Sequence, residues 1–251
     1  MKIPLKNKDE QKAIIEGGKH LSYIKKSLER AVSVGVSSWD LEVLANRLID
    51  ESGGRASFKL VPGYSWATCV NVNEGIVHGI PKEDVIFAKG DVVSVDVGLF
   101  YKGFNTDTST TVGLDVNVQT KKFLESGKVA LSKAISEAKS GNRIYDISKA
   151  IEKTIMGDGY KPVIKLVGHG VGRDLHEDPQ IPGVVIGRYE DSPLIVPGMV
   201  LAIEVIYALG DSEIKYNKDR WTIETADGKI SALYEETVVV TNNGTIVVTD
   251  Q

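Results

Sequence analysis

Residues 90–97 read Gly-Asp-Val-Val-Ser-Val-Asp-Val, and residues 198–205 read Gly-Met-Val-Leu-Ala-Ile-Glu-Val. Aligned, the two stretches place Asp96 on Glu204, and each acid interrupts an apolar run that is typical of a buried strand. A buried carboxylate is costly unless it is paired or bound to a metal ion. Two acids in matched positions therefore indicate one shared internal site.

The repeat extends beyond these two strands. Residues 35–41 resemble residues 141–147, residues 59–61 match residues 165–167, and Gly18-Lys19 matches Gly127-Lys128, all at nearly the same separation as the strands. Two copies are too few for a solenoid. We expect an α+β fold in a single domain, residues 1–251, with two similar halves at about residues 9–115 and 116–251. The halves should pack about a pseudo-twofold axis, with antiparallel strands in the middle and helices outside.

Composition narrows the function classes. The 251 residues are 42% hydrophobic and 25% charged, as in ordinary globular proteins. A net charge of −4 gives no electrostatic case for DNA or other nucleic acid as a partner. The sequence predicts no membrane span, and its start lacks the apolar core of a signal peptide. The single cysteine, Cys69, excludes an internal disulfide and fits a reducing cytoplasm.

Hydrophobic spacing and turn residues give the expected elements. Helices are predicted at residues 9–34, 38–52, 119–139 and 145–156. Strands are predicted at residues 92–99, 104–112, 163–167, 200–207, 229–234, 237–240 and 246–248, with strand and loop over 58–77 and a loop-bearing region over 168–188.

The predicted hairpin of residues 92–112 brings a second acid close to Asp96. If its turn centres between Tyr101 and Lys102, Asp107 stands directly opposite Asp96, with Cβ atoms roughly 4.5–5.5 Å apart. Like charges at that separation are destabilising unless a cation lies between them. The competing interpretation is that Asp107 only accepts local hydrogen bonds within Asn-Thr-Asp-Thr-Ser.

Three of the four histidines, His78, His169 and His176, lie in segments rich in glycine or proline. Flanking glycine lets the backbone approach closely and frees an imidazole to face a cavity. His20 falls in the first predicted helix and is interpreted as a surface or packing residue. Glu235 and Glu236 end the series of acids, but successive strand residues face opposite sides, so only one can share the cavity. Periodicity does not say which.

Together these residues predict an acid-rich pocket with imidazole. Such ligands are suited to binding Mn²⁺, Fe²⁺, Co²⁺ or Zn²⁺ and do not resemble those of a structural zinc site, which are mainly thiolates. Four carboxylates in a small cavity call for about two divalent ions, which can activate a water and hold a carbonyl. Cys69 has no positional claim to be a nucleophile and is interpreted as a pocket or core residue. The sequence contains no Gly-x-Ser-x-Gly elbow, P-loop or dinucleotide glycine pattern.

The order of these motifs resembles that of type I methionine aminopeptidase, from about residue 7 to the C-terminus. The resemblance rests on residues 73–81 (Asn-Glu-Gly-Ile-Val-His-Gly-Ile-Pro), Asp96, Asp107-Thr108-Ser109, residues 168–172 (Gly-His-Gly-Val-Gly), residues 176–179 (His-Glu-Asp-Pro), Ile203-Glu204 and residues 234–237 (Tyr-Glu-Glu-Thr). It implies the pita-bread fold, in which two αβ halves are related by a pseudo-twofold axis. The internal repeat predicts the same arrangement independently.

The resemblance also implies a role for each residue. The metal ligands would be Asp96, Asp107, His169, Glu204 and Glu235, which favours Glu235 over Glu236. Glu204 would also transfer the proton from the attacking water to the leaving nitrogen. His78 would contact the amide at the scissile bond, and His176 its carbonyl oxygen. The methionine pocket would use Tyr64, Cys69 and Trp221.

The implied function is removal of the N-terminal methionine from nascent polypeptides, with a small second residue preferred. The resemblance further implies two divalent metal ions per chain (Mn, Co, Fe or Zn), a cytoplasmic monomer, and work close to the ribosomal exit tunnel. We expect neither DNA nor a membrane as a partner.

Four positions depart from the family pattern. Val205 stands where proline is usual, Glu236 where histidine is usual, Leu175 where an aromatic residue is usual, and Thr106 where glycine is common. None of them removes a predicted ligand. Leu175 makes strict preference for methionine less secure than aminopeptidase activity itself.

Three alternative interpretations of the protein's function remain. An Xaa-Pro aminopeptidase or prolidase shares the fold and metals but usually has a large N-terminal domain, whereas this chain starts almost at once with the first helix. A type II methionine aminopeptidase usually has a long helical insertion in its second half. A metal-free binding protein on the same fold has typically lost ligands, and here all five positions are filled.

Overall fold

The computed structural model describes residues 3–251, and within that range it contains four α-helices, thirteen strands and two short 3₁₀ helices. The helices are α1 (Lys8–Ala31), α2 (Ser38–Glu51), α3 (Val118–Glu137) and α4 (Ile144–Gly157), and the 3₁₀ helices are Phe58–Leu60 and Tyr189–Asp191. The strands are β1 (Arg55–Ala56), β2 (Thr68–Val72), β3 (Gly75–Val77), β4 (Val92–Tyr101), β5 (Phe104–Gly113), β6 (Lys161–Pro162), β7 (Val167–Gly170), β8 (Glu177–Pro182), β9 (Val200–Ala208), β10 (Ile214–Tyr216), β11 (Ile223–Thr225), β12 (Ser231–Thr241) and β13 (Gly244–Val247).

One antiparallel sheet organises the molecule. Its main path runs β1-β4-β5-β12-β9-β7-β8, while β2 pairs with β4, β6 with β9, and β13 with β12. A small second sheet has the order β10-β11-β3. The predicted α+β class, with antiparallel strands between outer helices, is confirmed.

The main sheet is arranged alike on the two sides of its centre. Strands β5 and β12 lie in the middle, with β4 outside one and β9 outside the other. Helix α1 packs on β4 and β5, and helix α3 packs on β9 and β12. Helix α2 contacts α1, and helix α4 contacts α3. A large apolar cluster fills each half between helices and sheet. This order of elements matches the helix–helix–strand halves expected from the repeat.

Local sequence signals explain where the first two helices begin. The Asn7 side chain accepts hydrogen bonds from the amides of Asp9 and Glu10, and the Glu10 carboxylate accepts one from the Asn7 amide. Ser37 and Asp40 form the same reciprocal cap for α2. Such capping boxes satisfy amides that have no partner within the helix. Among the described helices, none combines the length and apolar character needed to cross a membrane.

The expected register of the β4–β5 hairpin is wrong by two residues. Asp96 lies opposite Ser109, and Asp107 lies opposite Gly98. The turn is Lys102-Gly103, where both residues have positive φ (49° and 88°), as the favoured two-residue hairpin turns require. An even shift keeps every side chain on its original face. Asp96 and Asp107 therefore still share a face, as diagonal neighbours.

Three other predicted elements need correction. The strand expected over residues 163–167 is absent from the described chain, because residues 163–166 form a turn between the short β6 and β7, and Val167 begins β7. The region 168–188, expected to be mainly loop, contains most of β7 and all of β8. The two strands expected over 229–240 are one continuous strand, β12. Glu235 and Glu236 lie within this strand, and both side chains are buried.

Two glycines in matched positions let α1 and α3 approach the strands. A Cβ on Gly18 would lie 2.6 Å from the carbonyl oxygen of Val248, and one on Gly127 would lie 2.5 Å from the Tyr207 hydroxyl. The Tyr207 hydroxyl accepts a hydrogen bond from the Gly127 amide (3.2 Å) and donates one to the Phe123 carbonyl (2.5 Å). These contacts fix the distance between α3 and the sheet.

Replacing Gly127 with alanine should therefore lower stability. The Gly→Ala change favours a helix by up to about 1 kcal/mol, but overpacking a filled core typically costs about 1–3 kcal/mol. Gly157→Ala is the matched control, because a Cβ at this helical position meets nothing within 4 Å. Urea unfolding should give a lower free energy of unfolding for Gly127→Ala than for Gly157→Ala. Equal values would show that α3 can move away from the sheet freely.

Candidate active site

One row of paired positions crosses five strands of the main sheet. Cys69 lies opposite Asp96, Asp96 opposite Ser109, Ser109 opposite Glu235, and Glu235 opposite Glu204. Directly opposed residues are close neighbours in a sheet. The row therefore brings acids from both halves of the chain to one place, as the matched positions of Asp96 and Glu204 predict.

Two further ligand-type side chains join this row. Asp107 lies two residues before Ser109 on β5, and His169 on β7 lies opposite Ala202, two residues before Glu204. One ligand atom each from Asp107, His169 and Glu235 lies within 4.8 Å of the others. The His169 Nε2 atom is 3.5 Å from Glu204 Oε1. Three strands thus converge on a volume small enough for one ion to touch all three groups.

The acids line a cavity of about 150 Å³. All ten residues that the sequence singled out for the site lie around it. The lining comprises Phe58, Val61, Tyr64, Cys69, Val77, His78, Asp96, Asp107, His169, Leu175, His176, Glu204, Trp221 and Glu235. Sequence reasoning missed Phe58, Val61 and Val77. The apolar and aromatic run over residues 58–66, placed just before β2, is the signal that could have indicated the first two.

Burial dominates the electrostatics of the acids. Glu235 is 2% exposed and Asp107 is 4% exposed. Burial, followed by the charge of Asp107, raises the pKa of Glu204 and of Glu235 well above the ordinary value. Burial and the same neighbour raise the pKa of Asp96, and burial raises the pKa of Asp107 to about 7. Without a cation, this group of carboxyls must hold protons near neutrality.

The orientation of His169 is fixed by its backbone. Its Nδ1 donates a hydrogen bond to the Gly170 carbonyl at 2.8 Å, so the lone pair resides on Nε2. Burial lowers the pKa of this imidazole to about 4, which keeps the ring neutral. A neutral imidazole whose other nitrogen is held by a hydrogen bond is the usual form of a histidine metal ligand. The free nitrogen is the one that faces Glu204.

Two buried carboxylate oxygens in the described chain have no hydrogen-bond donor. They are Oδ1 of Asp96 and Oε1 of Glu235. Buried polar atoms are normally satisfied, so such exceptions indicate a missing partner. Divalent ions would satisfy both atoms and replace the protons that the cluster otherwise holds. Carboxylates with one imidazole suit Mn, Fe, Co or Zn, so the residues fit a divalent metal centre.

The other end of the cavity is apolar. Phe58, Tyr64 and Cys69 form a buried cluster, against which Leu175 and Trp221 pack. The Tyr64 ring meets Trp221 edge-on with centroids 5.1 Å apart, and its hydroxyl donates to the Thr68 carbonyl at 2.9 Å. Burial, followed by the charge of Asp96, raises the pKa of the Cys69 thiol well above its usual value. The thiol is therefore a wall of the pocket, since only a thiolate is an effective nucleophile.

His78 and His176 lie between the two ends. His78 follows β3 with φ of +58° and meets the Trp221 ring edge-on at 6.5 Å. The exposed ring of His176 packs edge-on against His169, with centroids 4.5 Å apart. Desolvation within the cavity lowers the pKa of both imidazoles, although His176 is open to solvent on its outer side, so each ring is neutral and carries one N–H donor. Both rings stand at the edge of the acid cluster. His20 lies elsewhere, with its ring 5.0 Å from that of Tyr101.

The four departures from the family pattern occupy different surroundings. Glu236 forms a buried ion pair with Lys25 of α1 and does not line the cavity. Thr106 is buried, with its hydroxyl donating to the Leu99 carbonyl at 3.4 Å. Val205 belongs to the apolar cluster of the second half. Leu175 is the one departure whose side chain lines the cavity among the described residues.

Known proteins are similar to this chain in fold and in sequence. The profile of metallopeptidase family M24 matches residues 13–242. The chain is 38% identical to methionine aminopeptidase 1 of Bacillus subtilis over 230 residues, covering 91% of the chain and 92% of the relative. It is 37% identical to methionine aminopeptidase of Aquifex aeolicus over 226 residues, covering 87% and 88%. The crystal structure of methionine aminopeptidase from Thermotoga maritima has a TM-score of 0.96, 35% identity and full coverage of both chains.

The chain therefore belongs to metallopeptidase family M24, as the predicted resemblance indicated. Its relatives and solved neighbours within that family include the methionine aminopeptidases named above. Prolidase from Pyrococcus furiosus shares the fold, with a TM-score of 0.77 at 21% identity, but the chain spans only 65% of that protein. The predicted pita-bread fold is confirmed, and membership of a metallopeptidase family implies use of a divalent metal ion.

Replacing Asp107 with asparagine should sharply weaken metal binding. The change keeps the shape but removes the charge of a ligand at the centre of the acid cluster. Losing even a partner of a ligand typically costs roughly 10–100-fold in affinity, so we expect a loss of more than about 100-fold. Calorimetric titration of metal-stripped protein with Mn²⁺ measures it. Glu213→Gln, at an exposed acid paired with Lys165, is the control and should bind normally. Unchanged affinity in Asp107→Asn would remove Asp107 from the ligand set.

Proposed function

We propose that the protein removes the N-terminal methionine from polypeptides by hydrolysing the first peptide bond. The observation that supports this most directly is the composition of one cavity. Its inner end holds carboxylates and a neutral imidazole, and its other end is an apolar pocket of Tyr64, Cys69, Leu175 and Trp221. A methionine side chain would fill the apolar end while its α-amine and first peptide bond lie at the acids. The named relatives of the chain are methionine aminopeptidases.

We infer that this cluster would hold a pair of divalent ions. Asp96, Asp107, His169, Glu204 and Glu235 would be the ligands, as the family resemblance implies. The convergence of Asp107, His169 and Glu235 supports this assignment. Bound divalent ions would polarise the scissile carbonyl and lower the pKa of a water at this position. The set of ligands is compatible with Mn, Co, Fe or Zn.

The remaining polar groups have roles that follow from their places. Glu204 is the acid nearest His169 and can take a proton from the attacking water and pass it to the leaving nitrogen. His176, a neutral N–H donor at the rim, would stabilise the charge that develops on the carbonyl oxygen. His78, whose ring packs against Trp221, would hold the amide of the scissile bond. These side chains orient the substrate and move its proton.

The closed inner end makes the enzyme an exopeptidase. The acids lie on a sheet whose central strands are buried, so the chain of a substrate cannot continue past them. Only a free N-terminus can reach this closed end of the cavity. A small second residue is preferred in this proposal, because His78 and His176 flank the position just beyond the scissile bond. Cytoplasmic location, a monomeric state and work near the ribosomal exit tunnel remain predictions from the family resemblance.

Release of free methionine from a Met-Ala-Ser peptide tests the proposal. Metal-stripped protein should be inactive and should regain activity when Mn²⁺ or Co²⁺ is added. An Ala-Pro-Ser peptide, offered in parallel, should stay intact. Cleavage of that peptide alone would instead assign the chain to the Xaa-Pro enzymes that share the fold. No cleavage of either, with no metal bound, would favour a binding protein.

Replacing His78 with alanine should reduce kcat without removing the metals. Losing one donor to the reacting group typically costs roughly 10²–10³-fold in kcat, while His78 is outside the group of ligand atoms that converge. Peptide kinetics and metal analysis of the same preparation measure the two effects. His20→Ala, on α1, is the control and should retain both. Loss of metal from His78→Ala would make this residue a ligand.

A further inference from the structure

The segment that precedes α1 reaches the active site through one buried ion pair. The Lys6 side chain is 1% exposed, and its Nζ donates a charge-assisted hydrogen bond to the carboxylate of Glu177, which is 5% exposed. Glu177 follows His176 directly in sequence. A lysine is almost never this buried unless it is paired. The pair joins the beginning of the described chain to the residue beside a proposed catalytic histidine.

Lys6 is anchored independently of Glu177. Its amide donates to the Gly198 carbonyl at 2.8 Å, just before β9. Its carbonyl accepts a hydrogen bond from the Gln11 side chain at 2.7 Å, in the first turns of α1. The backbone of Lys6 is thus tied to the start of β9, a strand of the sheet that carries the acids, and to α1, which packs on that sheet. Lys6 can therefore hold the position of the Glu177 carboxylate that its ammonium group binds.

The loop over residues 171–176, between β7 and β8, packs against the ammonium group of Lys6. A Cβ on Gly172 would lie 2.7 Å from Lys6 Nζ and 3.0 Å from Glu177 Oε1, so glycine leaves room for the pair. The Asp174 amide donates to Glu177 Oε1 at 3.2 Å. Arg173 forms a second ion pair, with Glu10 of α1. The loop is therefore held against the start of the chain from two of its positions.

The loop carries two residues of the cavity, Leu175 and His176. His176 is an exposed residue whose ring packs edge-on against His169, so the backbone of the loop has a large part in setting the direction of the ring. The Lys6–Glu177 pair fixes the backbone immediately after that ring. Lys6 itself does not line the cavity.

We propose that Lys6 is a positioning residue for His176, acting through Glu177 to hold the β7–β8 loop and its imidazole against the acid cluster. This inference rests on the proposed aminopeptidase function for its kinetic consequence, but the placement of the ring is a separate property. A misplacement of about 1 Å caused by a change remote from the chemistry can cost on the order of 10²-fold in rate. Lys6→Met keeps most of the apolar stem of the side chain and removes the ammonium group together with its hydrogen bond to Glu177.

The first test follows the ring itself. The chain has four histidines, so histidine-labelled protein gives few imidazole NMR signals, and the signal lost in His176→Ala identifies that ring. In Lys6→Met and in Glu177→Gln the His176 signals should shift and broaden, while those of His20 stay unchanged. Lys12→Met, which breaks an exposed pair with Asp9, is the control and should leave all signals in place. An unmoved His176 signal in both variants would overturn the proposal. If one variant fails to fold, the other still decides.

The second test asks whether the kinetic effect passes through His176. Methionine release from Met-Ala-Ser should fall about 100-fold in kcat for Lys6→Met, with Mn²⁺ affinity nearly unchanged. In the His176→Ala background the same substitution should have little further effect, because residues that act as one unit are not additive. An equal loss in both backgrounds would show a general structural effect and would contradict the proposal. Wild-type protein that releases no methionine, yet shows the His176 shift in Lys6→Met, would refute the proposed function and leave the positioning role standing.

Discussion

The structure depends on the cost of placing four carboxyl groups in one buried cavity. Asp96, Asp107, Glu204 and Glu235 come from four strands and face one another away from bulk water. Burial favours their neutral forms, and each ionised neighbour makes the next ionisation harder. Such a cluster is stable only if protons or cations are held within it. Everything that positions β4, β5, β9 and β12 therefore also sets the affinity of the cavity for positive charge.

The sheet separates this charge from the rest of the molecule by strict alternation. Along β12, Glu235 lies in the cavity, whereas Glu236 is held by Lys25 of α1. The described residues that line the cavity include no lysine or arginine, so its acids need metal ions as counter-charges. On the Glu236 side the chain supplies its own cation. Successive strand residues point to opposite faces of the sheet. The charge of Glu236 is therefore balanced by a lysine, whereas that of Glu235 needs a metal ion.

Much of this arrangement could be predicted from the sequence, and the failures have physical causes. The repeated strand with its matched acids indicated the α+β fold and placed Asp96 and Glu204 in one site. The hairpin register was wrong because it depends on turn geometry: Lys102 adopts positive φ beside Gly103, which moves the turn by one residue. The strand expected at residues 163–167 failed because an apolar run alone does not specify a pairing partner. Periodicity could not show which of Glu235 and Glu236 faces the cavity, since that depends on which face of β12 packs against Lys25 of α1.

The departures from the family pattern can be ranked by what they touch. Glu236 receives hydrogen bonds from Lys25 and from the Thr249 hydroxyl, so its charge is balanced locally. Val205 is enclosed by apolar neighbours, and Thr106 satisfies its hydroxyl within its own hairpin. The side chains of these three residues are satisfied by their local contacts. A substitution at any of them would affect the site only by shifting the strand that carries it. Leu175 differs, because its side chain forms part of the pocket wall beside Tyr64 and Trp221. A flexible aliphatic side chain fills less of that wall than a planar ring would, so any change in side-chain preference should originate there.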